Sequence, residues 1–143
     1  HTRIPTVLPS RITESFINKI RGHQSEIVIV THINHPNELD VETDNVLRKL
    51  RQAGLALLNQ TVLLKAVNDR AKILVELSEK LFNQGVLPYY LHLSDKVEGT
   101  QHLCVTTDTA RQLFRDMLKE LPGYLVPRLV VEEPGKSSKT LIV

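Results

Sequence analysis

Three glycines, Gly22, Gly54 and Gly85, recur 32 and 31 residues apart, each closing a helical pattern and each followed by a short link and an apolar run. Glycine ends helices because it enters the left-handed conformation without a Cβ penalty. A helix, stop, strand cycle of this period leaves few options. It predicts βα units, whose crossovers are right-handed and build a parallel sheet, doubly wound or rolled into a barrel. Three such units without a closing partner make a partial barrel.

The segments follow that rhythm. Arg3 to Leu8 is β-branched and apolar but interrupted by Pro5 and Pro9, and reads as the end of a strand leaving a sheet. Thr13 offers an N-cap for a helix carrying Phe16, Ile17 and Ile20. Glu26 to Thr31 reads as a strand, and Ile27-Val28-Ile29-Val30, apolar without alternation, suggests cover on both faces. Val46, Leu47 and Leu50 mark the next helix, and Leu55 to Leu58 the next strand. Asn68-Asp69 is placed to cap a third helix with Leu74, Leu77 and Leu81, followed by a strand from Pro88 to Leu93. A last helix runs from Thr107-Asp108 to Leu121. No linker or low-complexity stretch divides residues 1–143, so the chain reads as a single domain.

Composition narrows the classes. One cysteine, Cys104, excludes a disulfide framework or a cysteine-only metal site built from this segment. No apolar run approaches the roughly 18 residues of a membrane span, and a net charge of +2 without a basic-aromatic stripe argues against nucleic acid. The expected setting is cytoplasmic. A start at His1, without an initiator Met and as if mid-strand, reads as a fragment. An open partial barrel also leaves strand edges that a second copy could cover.

Polar residues gather where ligands bind in such folds, at the C-terminal ends of the strands. Thr31-His32-Ile33-Asn34-His35 follows the first strand, Asn59-Gln60 the second, and His92 to Asp95 ends the third. This places His32, Asn34, His35, Gln60, His92 and Asp95 around one mouth, although singly each could serve only the loop backbone. Zinc is disfavoured, because His32 and His35 have opposite parity and would not share a strand face.

The tail adds a different chemistry. Gly135-Lys136-Ser137 lacks the preceding glycine of a phosphate loop, since Val130 stands in its place, and no long helix follows. A solvated basic end is the plain reading of Lys136 and Lys139. The chemical one is a lysine forming a Schiff base with a carbonyl cofactor, held by neutral imidazole and amide groups.

Four blocks carry a resemblance: THINHPNELD (31–40), LLNQTVLLKAVND (57–69), PYYLHLSDKVEGTQH (88–102) and GYLVPRLVVEEPGKSSK (123–139). In order and over nearly the whole chain, they resemble the second half of the lysine 2,3-aminomutase family, radical S-adenosylmethionine enzymes that use pyridoxal phosphate. The resemblance implies a partial parallel (β/α) barrel of the radical SAM, TIM-like type, this chain covering the last three or so βα units and the C-terminal segment with the cofactor lysine.

It also implies roles. Lys139 takes the place of the lysine bonded to pyridoxal phosphate, His32 and Gln60 lie against that cofactor, and Asp95 and Glu132 grip the distal ammonium of substrate lysine. The implied reaction is conversion of L-α-lysine to β-lysine by radical migration of the amino group. S-adenosylmethionine and a four-iron four-sulfur cluster are implied for the larger protein, but its three-cysteine motif has no counterpart here, so this chain alone should be inactive. PGKSSK in place of PGGGGK stiffens the turn and adds the charge of Lys136. Glu132 in place of aspartate, and the HLSDKVEGTQH wording, resemble the branch making (R)-β-lysine for elongation factor P, with a lysyl ligase as functional partner. Alternative readings are a non-catalytic half-barrel binding a small molecule such as pyridoxal phosphate and, third, a metal-dependent hydrolase.

Overall fold

The computed structural model describes residues 1–94, 99 and 101–142. A one-turn helix α1 (Ile4–Val7) and α2 (Glu14–Arg21) precede three βα units: β1 (Val28–Thr31) and α3 (Val41–Gln52), β2 (Ala56–Leu63) and α4 (Ala71–Asn83), β3 (Leu87–Leu93) and α5 (Thr107–Glu120). Strands β4 (Arg128–Val131) and β5 (Thr140–Leu141) complete a sheet in the order β1-β2-β3-β4-β5. All neighbours are parallel except β4 and β5, which are antiparallel.

Local chemistry explains the helices. Thr13 accepts from Phe16 N at the start of α2, Asp40 from Thr43 N at the start of α3, and Thr106 from Thr109 N at the start of α5. Each cap satisfies an amide that the first turn leaves without a partner. In α3, Glu42 and Asp44 at the start and Lys49 and Arg51 at the end complement the helix dipole. Gly54 and Gly85, at φ +83° and +76°, turn the chain out of α3 and α4.

The helices cover one face of the sheet. Ile29, Leu57, Leu63, Leu91, Leu93 and Leu129 point into two apolar clusters, with α4 joining them by giving Leu74 and Val75 to one and Leu77 and Leu81 to the other. Strand alternation then directs Leu58, Gln60, Val62, Tyr90 and His92 to the opposite, concave face. Cover on both faces, expected from the unbroken apolar run of β1, is met at Ile29 and Val30, both buried, but not at Val28, which is 50% exposed at the start of the strand.

Three other expectations are corrected. Arg3 to Leu8 is not a strand end but α1, because Pro5 falls in its first turn, where a missing N–H costs nothing. Thr2 alone makes a parallel bridge to Thr31. Asn68-Asp69 does not cap α4, whose N-cap is Arg70; Asn68 is fully buried and ties loops together instead. Strand β2 reaches Leu63 rather than Leu58, since Asn59 and Thr61 are polar yet buried on the helix-covered side.

Asn59 carries the junction between β1 and β2. Its Oδ1 accepts from Thr31 Oγ1 at 2.8 Å and Ile33 N at 2.9 Å, and its Nδ2 donates to Ile33 O at 3.0 Å and Thr61 Oγ1 at 2.9 Å. Replacing it by alanine strands several buried groups at once. Asn59→Ala is therefore expected to lose about 2–4 kcal/mol of unfolding free energy, checked by urea titration, whereas the exposed Glu79→Ala should change it by less than about 0.5 kcal/mol.

Candidate functional site

The concave face owes its composition to one irregularity. Between Asn59/Gln60 and Pro88/Tyr90 the register of β2 and β3 shifts by a residue: Leu58 pairs with Leu87, but Gln60 pairs with Tyr90 and Val62 with His92. Pro88 has no N–H to give the ladder, and a bulge is where a sheet tolerates that. The extra residue resets the alternation, so that Tyr90 and His92 come to the face of Gln60 and Val62. Tyr89 and Tyr90 pack with ring centroids 3.8 Å apart, and Tyr89 Oη donates to Tyr90 Oη at 2.9 Å.

The tail reaches this face through the hairpin formed by β4 and β5. Val130 pairs with Leu141 and Val131 with Thr140, so the next facing positions are Glu132 and Lys139. Lys139 Nζ donates to Glu132 Oε1 and stands 5.9 Å from the Tyr90 ring centre. On its other side Glu132 Oε1 lies 3.9 Å from Nε2 of buried His92. The intervening turn is built by Pro134 and Gly135, the latter at φ +82°, with Lys136 N donating to Glu133 O at 3.1 Å, a type II arrangement that requires glycine at its third position. Lys136 is ion-paired with Glu133 and donates to Thr140 Oγ1, so its added charge is neutralised within the loop.

A cleft of about 1190 Å³ opens between the ends of β3 and β4, the start of α5 and this tail, with Leu93, Ser94, Thr106, Glu132, Ser137 and Lys139 in its wall. His32, Gln60 and His92 do not line it. Lys139 sits at the junction, its side chain 20% exposed, between the cleft and the concave face.

Of the residues singled out from the sequence, Lys139 and Glu132 are brought into direct contact. Gln60 is buried on the same face, and its Oε1 has no hydrogen-bond partner. His32 is half-buried at the end of β1, with Nε2 2.9 Å from His1 Nδ1. Asp95 lies outside the described residues. Asn34 and His35 belong to the scaffold: Asn34 Oδ1 accepts from Val62 N at 2.8 Å, and His35 Nδ1 accepts from Asn37 N at 3.1 Å. That use of His35 removes it from the zinc set considered above, and among the described residues no group of three His, Cys, Asp or Glu is placed to hold a metal ion. The structure adds Tyr90, whose signal was the alternation of aromatic and histidine in PYYLHL. It also joins His92 to Glu132, a contact across two strands that sequence spacing does not reveal.

Two charge effects follow. The Lys139 hydrogen bond, then its charge, holds the Glu132 carboxyl below the usual carboxylate range. Burial, followed by the charges of Arg3 and Lys139, lowers the His32 imidazole below its ordinary 6.5. His32 is thereby neutral at pH 7 and able to serve as a hydrogen-bond partner rather than a third cation.

No protein-family model matches the chain. Curated relatives do. Proteins named L-lysine 2,3-aminomutase are 49% identical over 140 residues in Escherichia coli (strain K12), covering 98% of this chain and 41% of that protein. In Haemophilus influenzae the figures are 48% over 141 residues, 99% and 42%. By sequence the chain is similar, over nearly its whole length, to the lysine 2,3-aminomutases. It spans about two fifths of the length of these relatives, and the Clostridium subterminale aminomutase is more distant, at 35% identity over 142 residues, 99% of this chain and 34% of that protein. Among solved structures, a radical SAM methyltransferase from Sphaerobacter thermophilus matches with a TM-score of 0.59 at 14% identity, over 82% of this chain and 37% of that one. The aminomutase-like chain thus has the partial radical SAM-type α/β fold expected of it. Among the described residues no helix is long and apolar enough to cross a membrane.

The electrostatics are testable by NMR titration. Glu132 should titrate below 4.5 and move upward in Lys139→Met; the stabilisation from this pair is present above the ordinary carboxylate value and is lost as pH falls through the lowered one. His32 should titrate below 6.5 and rise only partway in the same variant, because burial is the larger cause. Its linkage runs the same way. As pH falls below 6.5 the unfolded chain takes the proton first, so the folded state loses stability until the lowered folded value is passed.

Proposed function

We propose that this chain supplies the cofactor lysine and the substrate-cation site of a lysine 2,3-aminomutase that converts L-α-lysine to β-lysine. The observation that carries the reading is the contact of Lys139 with Glu132 beside the Tyr90 ring, on the sheet face that also bears buried Gln60, with the neutral His32 at the end of β1. A primary amine, a free amide oxygen, a neutral imidazole and an aromatic face suit pyridoxal phosphate, and the orphaned Gln60 Oε1 is a buried acceptor awaiting a donor.

In this reading Lys139 holds the cofactor through Nζ, with His32 and Gln60 against it. When bound, pyridoxal phosphate supplies a carbonyl carbon able to carry the amino nitrogen that migrates from Cα to Cβ. Glu132, with Asp95, holds the distal ammonium of substrate lysine. A carboxylate facing an ammonium attracts it, and attracts a neutral side chain in its place far less, which favours lysine. His92, 6% exposed, stands 3.9 Å from Glu132 Oε1 on the strand side of the carboxylate.

The relatives are more than twice as long as this chain, so the S-adenosylmethionine site and the iron-sulfur cluster are assigned to sequence beyond it, and the 143-residue chain by itself is expected to give no turnover. Service to elongation factor P, with (R)-β-lysine passed to a lysyl ligase, is supported by Glu132 and by the HLSDKVEGTQH wording. Deleting the gene and looking for unmodified elongation factor P addresses that part separately.

The central test is covalent. Borohydride reduction with pyridoxal phosphate followed by peptide mapping should place the label on Lys139, and label on another lysine would sink the assignment. In the full-length enzyme, Lys139→Ala should lower β-lysine formation by at least about 100-fold, since no other group replaces the amine.

A further inference from the structure

The proposed function gives Lys139 and Glu132 separate tasks, one for the cofactor and one for the substrate. The structure joins them to each other. Their contact is not a chance meeting of two long side chains: Val130 faces Leu141 and Val131 faces Thr140, so the antiparallel register sets Glu132 opposite Lys139. Directly opposed charges of opposite sign on an antiparallel ladder attract. The Lys139 side chain is 20% exposed and that of Glu132 57%, so the cation is the better enclosed partner and the carboxylate the one reachable from outside. Among the described residues the pair is flanked by the Tyr90 ring on the side of Lys139 and by His92 on the side of Glu132, while Lys136 is ion-paired with Glu133.

From this we infer that Lys139 is a built-in competitor for the substrate-cation site, occupying Glu132 until its own ammonium is removed. The inference rests on the roles proposed above for these two residues. A carboxylate engaged by one ammonium offers a second one less attraction, and the second must also approach the first, a like charge. Condensation of Lys139 Nζ with the aldehyde of pyridoxal phosphate forms a C=N bond, expels one water and gives one ammonium proton to solvent. It leaves no ammonium for Glu132 to hold. Cofactor attachment and opening of the cation site are then one event, and productive loading is ordered, cofactor before lysine.

The test uses a cation that cannot react as substrate. In the full chain without cofactor, pentylammonium is titrated while the Glu132 carboxyl is followed by carbon NMR, with pentanol as the neutral control. The wild type should bind pentylammonium no better than pentanol. Lys139→Met and Lys139→Gln, neutral at this position, should each gain at least tenfold, Lys139→Arg should show no gain because its charge persists, and adding Glu132→Gln to Lys139→Met should abolish the gain. Two neutral variants with circular dichroism matching the wild type separate the charge effect from any loss of fold. An equal gain in Lys139→Arg, or none in either neutral variant, overturns the inference. The borohydride label reports on the underlying reading independently: label on Lys139 without a gain in the neutral variants sinks the competition alone, whereas label elsewhere sinks the cofactor assignment.

Discussion

Two buried carboxamides hold the carbonyl ends of the first two strands in place, and the rest of the site is arranged around them. Asn59 uses both lone-pair sides and both N–H groups on Thr31, Ile33 and Thr61. Asn68 accepts from Leu64 N and donates to Asn34 O and Val62 O, each within 2.8 Å. Fully satisfied polar groups in a low-dielectric interior hold their partners firmly, because every alternative arrangement leaves one of them unpaired. His32 stands between Thr31 and Ile33, and Gln60 between Asn59 and Thr61. Both candidate cofactor contacts are therefore set by neighbours whose own positions are fixed.

The concave face is built from strand positions on one side and from the tail hairpin on the other. On the strand side the bulge at Pro88 turns Tyr90 and His92 to the face of Gln60. On the tail side, Glu132 and Lys139 hang from a short antiparallel hairpin and hold each other by charge. Such pairs are screened and easily exchanged when exposed. The division suits a site that must keep one set of contacts constant while a cation changes hands.

Charge and cover also set the two lysines of the tail apart. Lys136 and Lys139 lie on the same loop, yet Lys136 folds back on Glu133 and Thr140 while Lys139 is carried under cover beside Tyr90. The difference comes from the ladder. Lys139 is one residue from β5, so its direction follows strand geometry, whereas Lys136 belongs to the turn.

Much of this was legible in the chain alone. Glycine-ended helical patterns alternating with apolar runs determined a parallel βα architecture, since those patterns bury their faces in few other ways, and the ordered blocks from THINHPNELD to EEPGKSSK carried the likeness to the aminomutases and pointed to Lys139, His32, Gln60, Asp95 and Glu132 as candidates. Sequence pattern did not reveal that Asn68 is a buried tie rather than a cap, or that RLVV and TL are paired strands, because short segments gain their structure from partners distant in sequence. The tertiary structure alone decided that Glu132 faces Lys139 and His92. That contact depends on the registers of β3 against β4 and of β4 against β5, and backbone pairing across a sheet leaves no local mark in the residues it brings together.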